Sequence, residues 1–195
     1  FVVSLAGCGG GGGSGSPATS TPPDNTPRFA YVINSQVIGS YVFDLESGNL
    51  IPRGNTQQFF ETTPTDIAVH PNGRFLYLSD AGGSGAIKRR RIDHQTGVFA
   101  TEMVDYPTEG SAQQIEIHPG GEWLFFRKSG IQPITTLMIE PATGNLSLVN
   151  ETATRDTDAI HLAPEGGFLY AVTDIGDKEI QNYRVENDGT LTAID

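Results

Sequence analysis

Four histidines, one cysteine and a single basic run carry most of the reactive chemistry in this 195-residue sequence. His70 and His118 each stand directly before a proline, Pro71 and Pro119. A residue that recurs at one place in a repeat usually supports a turn, so a structural role is expected for both. His161 lies three residues before Pro164. It falls on an expected inner strand, from which the imidazole could face a cavity, although a hydrogen-bonded strand histidine is the simpler expectation. His94 falls in a hairpin and is expected to be solvated. No pair has ligand spacing of the His-x-x-x-His kind, so neither a zinc ion nor any cofactor is expected. Asp156-Thr157-Asp158 and Asp177 offer oxygens of the type calcium takes, but not at the spacing of an EF-hand loop. Lys88-Arg89-Arg90-Arg91 is the basic run. On a strand, Lys88 and Arg90 face one way and Arg89 and Arg91 the other. Such a run either forms an anion-binding patch or packs its aliphatic stems and pairs its heads with the many carboxylates.

Cys8 suggests a different chemistry. Phe1-Val2-Val3-Ser4-Leu5-Ala6-Gly7-Cys8 is a short apolar stretch ending in small residues, as at the tail of a secretory signal peptide. Leu5-Ala6-Gly7-Cys8 looks like a bacterial lipobox, in which the cysteine becomes the mature N-terminus and carries lipid. Each buried CH₂ contributes about 0.8 kcal/mol, so several acyl chains anchor a protein stably. Residues 1–8 are therefore read as a signal-peptide remnant. Residues 9–28 are rich in Gly, Ser, Pro and Thr and are read as a flexible tether. The expected partner is a membrane reached through lipid on Cys8, and the expected place is the bacterial cell envelope, on its periplasmic or cell-surface side.

Composition narrows the rest. The chain has 24 Gly and 12 Pro, and its net charge is −11. An acidic surface repels phosphate, which argues against a nucleic-acid partner. No apolar run reaches the roughly 20 residues of a membrane-spanning helix. One cysteine excludes a disulfide scaffold. The 10 Phe, 6 Tyr and single Trp recur at regular places and point to a packed β protein.

Two markers repeat. Arg28-Phe29-Ala30-Tyr31-Val32 returns as Arg74-Phe75-Leu76-Tyr77-Leu78, as Glu122-Trp123-Leu124-Phe125-Phe126 and as Gly167-Phe168-Leu169-Tyr170-Ala171. An acidic hairpin signature follows each, with glycines at 48, 97, 144 and 189. Both markers keep a period of about 46 residues, which predicts four short antiparallel strands per unit and hence β-propeller blades. The aromatics at 29, 75, 123 and 168, with those at 31, 77, 125 and 170, are expected between blades. A stack of Greek-key sandwiches is the rival architecture. The expected units are residues 29–64, 65–110, 111–156 and 157–195, about 3.6 blades. Since propellers close with 4 to 8 blades, the sequence is expected to be the N-terminal part of a longer ring.

The run Pro64-Thr65-Asp66-Ile67-Ala68-Val69-His70-Pro71-Asn72-Gly73-Arg74-Phe75-Leu76-Tyr77, with the Thr-Gly-Asn-Leu type hairpins, resembles the seven-bladed lactonase propeller family. That family includes bacterial 6-phosphogluconolactonase and fungal muconate-cyclising enzymes. The resemblance implies a central cavity with His and Arg six residues before each turn proline. Those positions hold Thr65, Gln113 and Asp158 here. It also implies an acidic residue after a second strand, which falls on Asp174, and Asp80 resembles another acidic position. The catalytic candidates are thus Asp174 and Asp158, as general bases for hydrolysis of a sugar lactone. No cationic partner is evident beside them. The alternative is a noncatalytic propeller that binds a polysaccharide, peptide or protein.

Overall fold

The computed structural model describes residues 2–6, 28–53, 58–59, 64–130, 133–173 and 179–194. Seventeen strands and no helix occur among them. They form four antiparallel sheets, each a propeller blade. The first holds β1 (Val2–Ala6), β2 (Arg28–Asn34), β3 (Val37–Phe43) and β4 (Leu50–Pro52), with β5 (Gln58–Phe59) also on β3. The second holds β6 (Pro64–Val69), β7 (Phe75–Asp80), β8 (Ala86–Ile92) and β9 (Phe99–Pro107). The third holds β10 (Ala112–Ile117), β11 (Trp123–Lys128), β12 (Ile134–Ile139) and β13 (Leu146–Thr152). The fourth holds β14 (Ala159–Leu162), β15 (Phe168–Val172), β16 (Ile180–Val185) and β17 (Leu191–Ile194). Every blade runs from its innermost to its outermost strand in sequence order, as an up-and-down sheet.

The turn chemistry explains the acidic signature. Asp93 Oδ1 accepts the backbone N–H groups of Gln95 and Thr96, and Gly97 N–H donates to the Asp93 carbonyl. Asp44 and Glu140 cap their own hairpins in the same way, and Asp188 binds Thr190. Backbone donors hold the Asp44 and Asp93 carboxyls below their ordinary range. At Glu140 and Asp188 the leading contribution is the threonine hydroxyl.

No blade owns a core. The buried clusters lie in the seams: Phe29, Tyr31 and Ile33 pack with Ile67, Leu76, Leu78 and Phe99. Phe75, Tyr77 and Ile87 pack with Ile115, Leu124 and Leu137. Phe125 and Ile134 pack with Ile160, Leu169 and Tyr183. The aromatic–glycine period follows from these seams. Tyr31 OH donates to the Gly97 carbonyl at 3.2 Å, and Tyr77 OH donates to the Gly144 carbonyl at 2.8 Å. The faces of Phe29, Phe75 and Trp123 lie where a Cβ would stand on Gly97, Gly144 and Gly189, at 2.4, 2.6 and 2.7 Å. Gly97, Gly144 and Gly189 are therefore sockets for the preceding blade's aromatic, whereas nothing stands within 4 Å of the Cβ position of Gly48.

Val2–Ala6, read above as part of a leader, lies as β1 along the inner edge of β2, with Ser4 opposite Tyr31. That edge presents unpaired backbone groups, and an apolar segment satisfies them. Cys8 and residues 9–27 of the tether lie outside the described residues.

Candidate functional site

The innermost strands adjoin in turn: β1 packs on β6, β6 on β10 and β10 on β14. Side chains at matching positions of these strands therefore meet across blades. The third residue of β6 and the third residue of β10 each clasp the next blade. Asp66 Oδ2 accepts the Ile115 N–H at 3.0 Å, and the Gln114 amide spans the Ile160 backbone, accepting its N–H at 3.0 Å and donating to its carbonyl at 2.7 Å. Two positions further along stand Ala68, Glu116 and His161. His161 Nδ1 lies 3.2 Å from Glu116 Oε1. An ionised carboxylate can only accept, so Nδ1 carries the proton and Nε2 is left as a base. The His161 side chain is 76% exposed, whereas Glu116 beneath it is 24% exposed.

The carboxylates here are perturbed. Burial raises Glu116 above the ordinary glutamate range. The nearby Asp66 charge adds to this, and His161 opposes it. Burial also raises Asp66, against the N–H bonds from Ile115 and Ile67 and the charge of Arg127. Arg127, at the end of β11, donates to the Thr157 carbonyl at 3.1 Å. Burial pulls its basicity down, offset by Asp158, Asp156 and Asp66. Its buried Nε meets no hydrogen-bond acceptor among the described residues. The arrangement supplies a carboxylate-oriented imidazole and, on the neighbouring strand β11, a guanidinium whose charge is felt at Asp66. These are the elements of water activation and of oxyanion stabilisation.

The positions six before each proline are put to other uses. A bulge falls between Pro64 and Asp66 and another between Ala112 and Gln114. Thr65 Oγ1 donates to the Ala112 carbonyl at 2.8 Å, and Gln113 Nε2 donates to Ser111 Oγ. Asp158 is exposed and within electrostatic reach of Arg127. Asp174 and Asp177 lie outside the described residues. Asp80 is buried, 3.4 Å from Lys88 Nζ, and its Oδ1 accepts the Gly82 N–H.

The other histidines and the basic run sit in seams and turns. His70 Nε2 donates to the Gly121 carbonyl at 2.9 Å while Nδ1 accepts the Asn72 N–H, and burial lowers its basicity. His118 occupies the equivalent place against Gly166. Arg89 and Arg91 both lie over Phe75, and Arg89 donates to the Thr143 carbonyl. Arg90 is buried on the opposite face and donates to the Ala100 carbonyl. No cluster of metal-ligating side chains occurs among the described residues.

Sequence reasoning missed Arg127 and Glu116. Arg127 stands where the other blades have Ile33, Ser79 and Val172, so no repeat marks it. Glu116 meets His161 only through the pairing of strands 45 residues apart. The one available signal was that Ala68, Glu116 and His161 share a repeat position.

Comparison with known proteins agrees with the blade architecture. A 6-phosphogluconolactonase-like protein from Bacteroides uniformis superposes with a TM-score of 0.69 at 21% identity, over 88% of this chain and 51% of its own. A second such protein, from Bacteroides fragilis, gives 0.68 at 15% identity over 89% and 55%. The periplasmic gluconolactonase of Pseudomonas aeruginosa gives 0.53 at 14% identity over 89% and 69%. The chain thus spans about half the length of the first two. No curated protein sequence matches it. The family model for the seven-bladed β-propeller lactonases matches residues 26–157. With its repeat, its seam sockets and this match, the chain belongs to the lactonase family of seven-bladed β-propellers.

Proposed function

We propose that the full-length protein hydrolyses a sugar lactone at the channel formed by its innermost strands, held at the cell envelope by lipid on Cys8. The observation that carries the reading is the Glu116–His161 pair on adjoining inner strands, with Arg127 supplied by β11, the strand paired with β10. In this reading His161 Nε2 takes a proton from water as the water oxygen attacks the lactone carbonyl. Arg127 faces the oxygen that becomes an anion. The ring C–O bond then breaks, and the imidazolium returns its proton to the leaving alkoxide to give the hydroxy acid. Asp158 and Asp174 are the rival bases, Asp158 being the one within electrostatic reach of Arg127. Family membership and the 6-phosphogluconolactonase-like and gluconolactonase structures support the substrate class.

The test is hydrolysis of glucono-δ-lactone by the purified full-length protein, followed by acid release. Turnover should fall about 100-fold or more in His161→Ala and by less in Glu116→Gln, which orients rather than transfers the proton. A loss confined to Asp158→Asn or Asp174→Asn would move the base to the fourth blade. No turnover in the wild type would leave the noncatalytic reading, a propeller that binds a polysaccharide, peptide or protein.

A further inference from the structure

The seam between the second and third blades opens at the rim into two clefts of about 240 and 230 Å³ that share Tyr106 as a wall. The first is lined by Arg89 and Asp105, and the second by Glu109, Lys128 and Glu151. β9 and β13 wall both, joined by Arg89 of β8 in the first and by Phe126, Lys128 and Thr135 of β11 and β12 in the second, and no residue of the strands that carry Glu116 and His161 lines either. Each is smaller than the roughly 300–1,000 Å³ of pockets that enclose a drug-sized ligand. Each therefore suits one ring of a longer molecule whose other face stays in water.

The second cleft is built to a fixed shape. Lys128 Nζ lies 3.8 Å from Glu151 Oε1, with the Lys128 side chain only 12% exposed. Thr135 Oγ1 donates to the same Glu151 oxygen. Burial raises the Tyr106 phenol above its ordinary range, and the charges of Glu151 and Glu109 add to this. Both carboxylates line the same cleft as the ring. Glu109 is held at φ +51°, a left-handed backbone conformation that few side-chain-bearing residues adopt. The loop enforces it through Thr108 Oγ1, which donates to the Gly110 carbonyl, and Gly110 N–H, which donates to the Ser84 carbonyl. Such strain marks positions whose side chain is wanted in one place.

We infer that this double cleft binds a neutral linear glycan, with one sugar ring on each side of Tyr106. Sugar hydroxyls donate and accept at once: the second cleft meets them with Lys128 beside Glu151, and the first with Asp105, which Lys88 Nζ holds at 2.8 Å. Tyr106 offers an aromatic wall to the apolar C–H face of a ring. The net charge of −11 disfavours polyanionic glycans. This site is independent of the lactone chemistry proposed for the inner strands.

The test is isothermal titration of the full-length protein with cellohexaose, maltohexaose and a neutral hexapeptide. At least one glycan should bind. Its affinity should fall about 10-fold or more in Glu151→Ala, which removes a charged hydrogen-bonding partner. Glu109→Ala should weaken it as well, and Glu116→Gln should leave it unchanged. Tyr106→Ala should abolish binding. Should that variant unfold, the exposed carboxylate variants still decide the matter. The inference is overturned if no glycan binds, if the peptide binds in their place, or if binding ignores Glu109→Ala and Glu151→Ala. Loss of glycan binding in Glu116→Gln alone would place the sugar in the channel and also overturn it.

Discussion

Replacing Gly144 by Ala should measure what one blade socket contributes. Gly144 has φ +73°, and a Cβ there would lie 2.6 Å from Phe75 Cδ1. Two costs therefore combine. The left-handed backbone costs a residue with a Cβ about 1–2 kcal/mol. Forcing an atom into a packed seam costs roughly 1–3 kcal/mol more, because Phe75 is buried and Tyr77 OH is fastened to the Gly144 carbonyl. Gly83→Ala isolates the first cost: φ is +58° and nothing stands within 4 Å of its Cβ position. In urea unfolding of the full-length protein, Gly83→Ala should lose about 1 kcal/mol and Gly144→Ala about 3 kcal/mol, at similar m. A double variant with Phe75→Leu should recover part of the larger loss. Equal losses at the two glycines would refute the socket account, since they differ only in what faces the Cβ.

Four further outcomes follow from the same structure. Glu116→Gln should flatten stability against pH. The carboxyl is raised by burial, so its contribution is full below the unfolded glutamate pKa and is lost as pH climbs through the folded value. At neutral pH this variant should therefore be no less stable than wild type in urea, while its lactone turnover falls. Phe168, Val172 and Ile180 are 42, 38 and 63% exposed on the fourth blade, so residues 28–195 expressed alone should self-associate in sedimentation velocity and do so less with Ile180→Ser. Cys8→Ala, made with the complete leader, should leave the protein folded but release it from the membrane fraction, and equal sedimentation with membranes would refute lipid anchoring. Cleavage before Cys8 would also remove β1 (Val2–Ala6), so Val3→Asp should leave the stability of the mature protein unchanged.

The blades were legible because the seams demand repetition. A socket needs a glycine in one hairpin and an aromatic on the neighbouring blade's second strand, so Phe29 with Gly97 and Phe75 with Gly144 recur at one period. The recurrence of His70 and His118 likewise signalled a structural role, and each indeed rests on a glycine of the next blade. The candidate site was less legible because its residues break the repeat. Arg127 replaces an isoleucine, a serine and a valine, and Glu116 replaces an alanine. The bulges at Thr65 and Gln113 changed what the positions before each proline face, an effect that periodicity alone does not reveal. Asp174 lies outside the described residues, so its part rests on the family resemblance.

The central claim is that the inner strands carry a lactone-hydrolysing site in which Arg127 meets the developing oxyanion. Its most direct test is steady-state hydrolysis of glucono-δ-lactone by full-length Arg127→Met, with folding verified by an unchanged urea midpoint. The account predicts that kcat falls about 100-fold or more with a smaller change in KM, as for loss of a preorganised oxyanion donor. Turnover equal to wild type in that folded variant would contradict it.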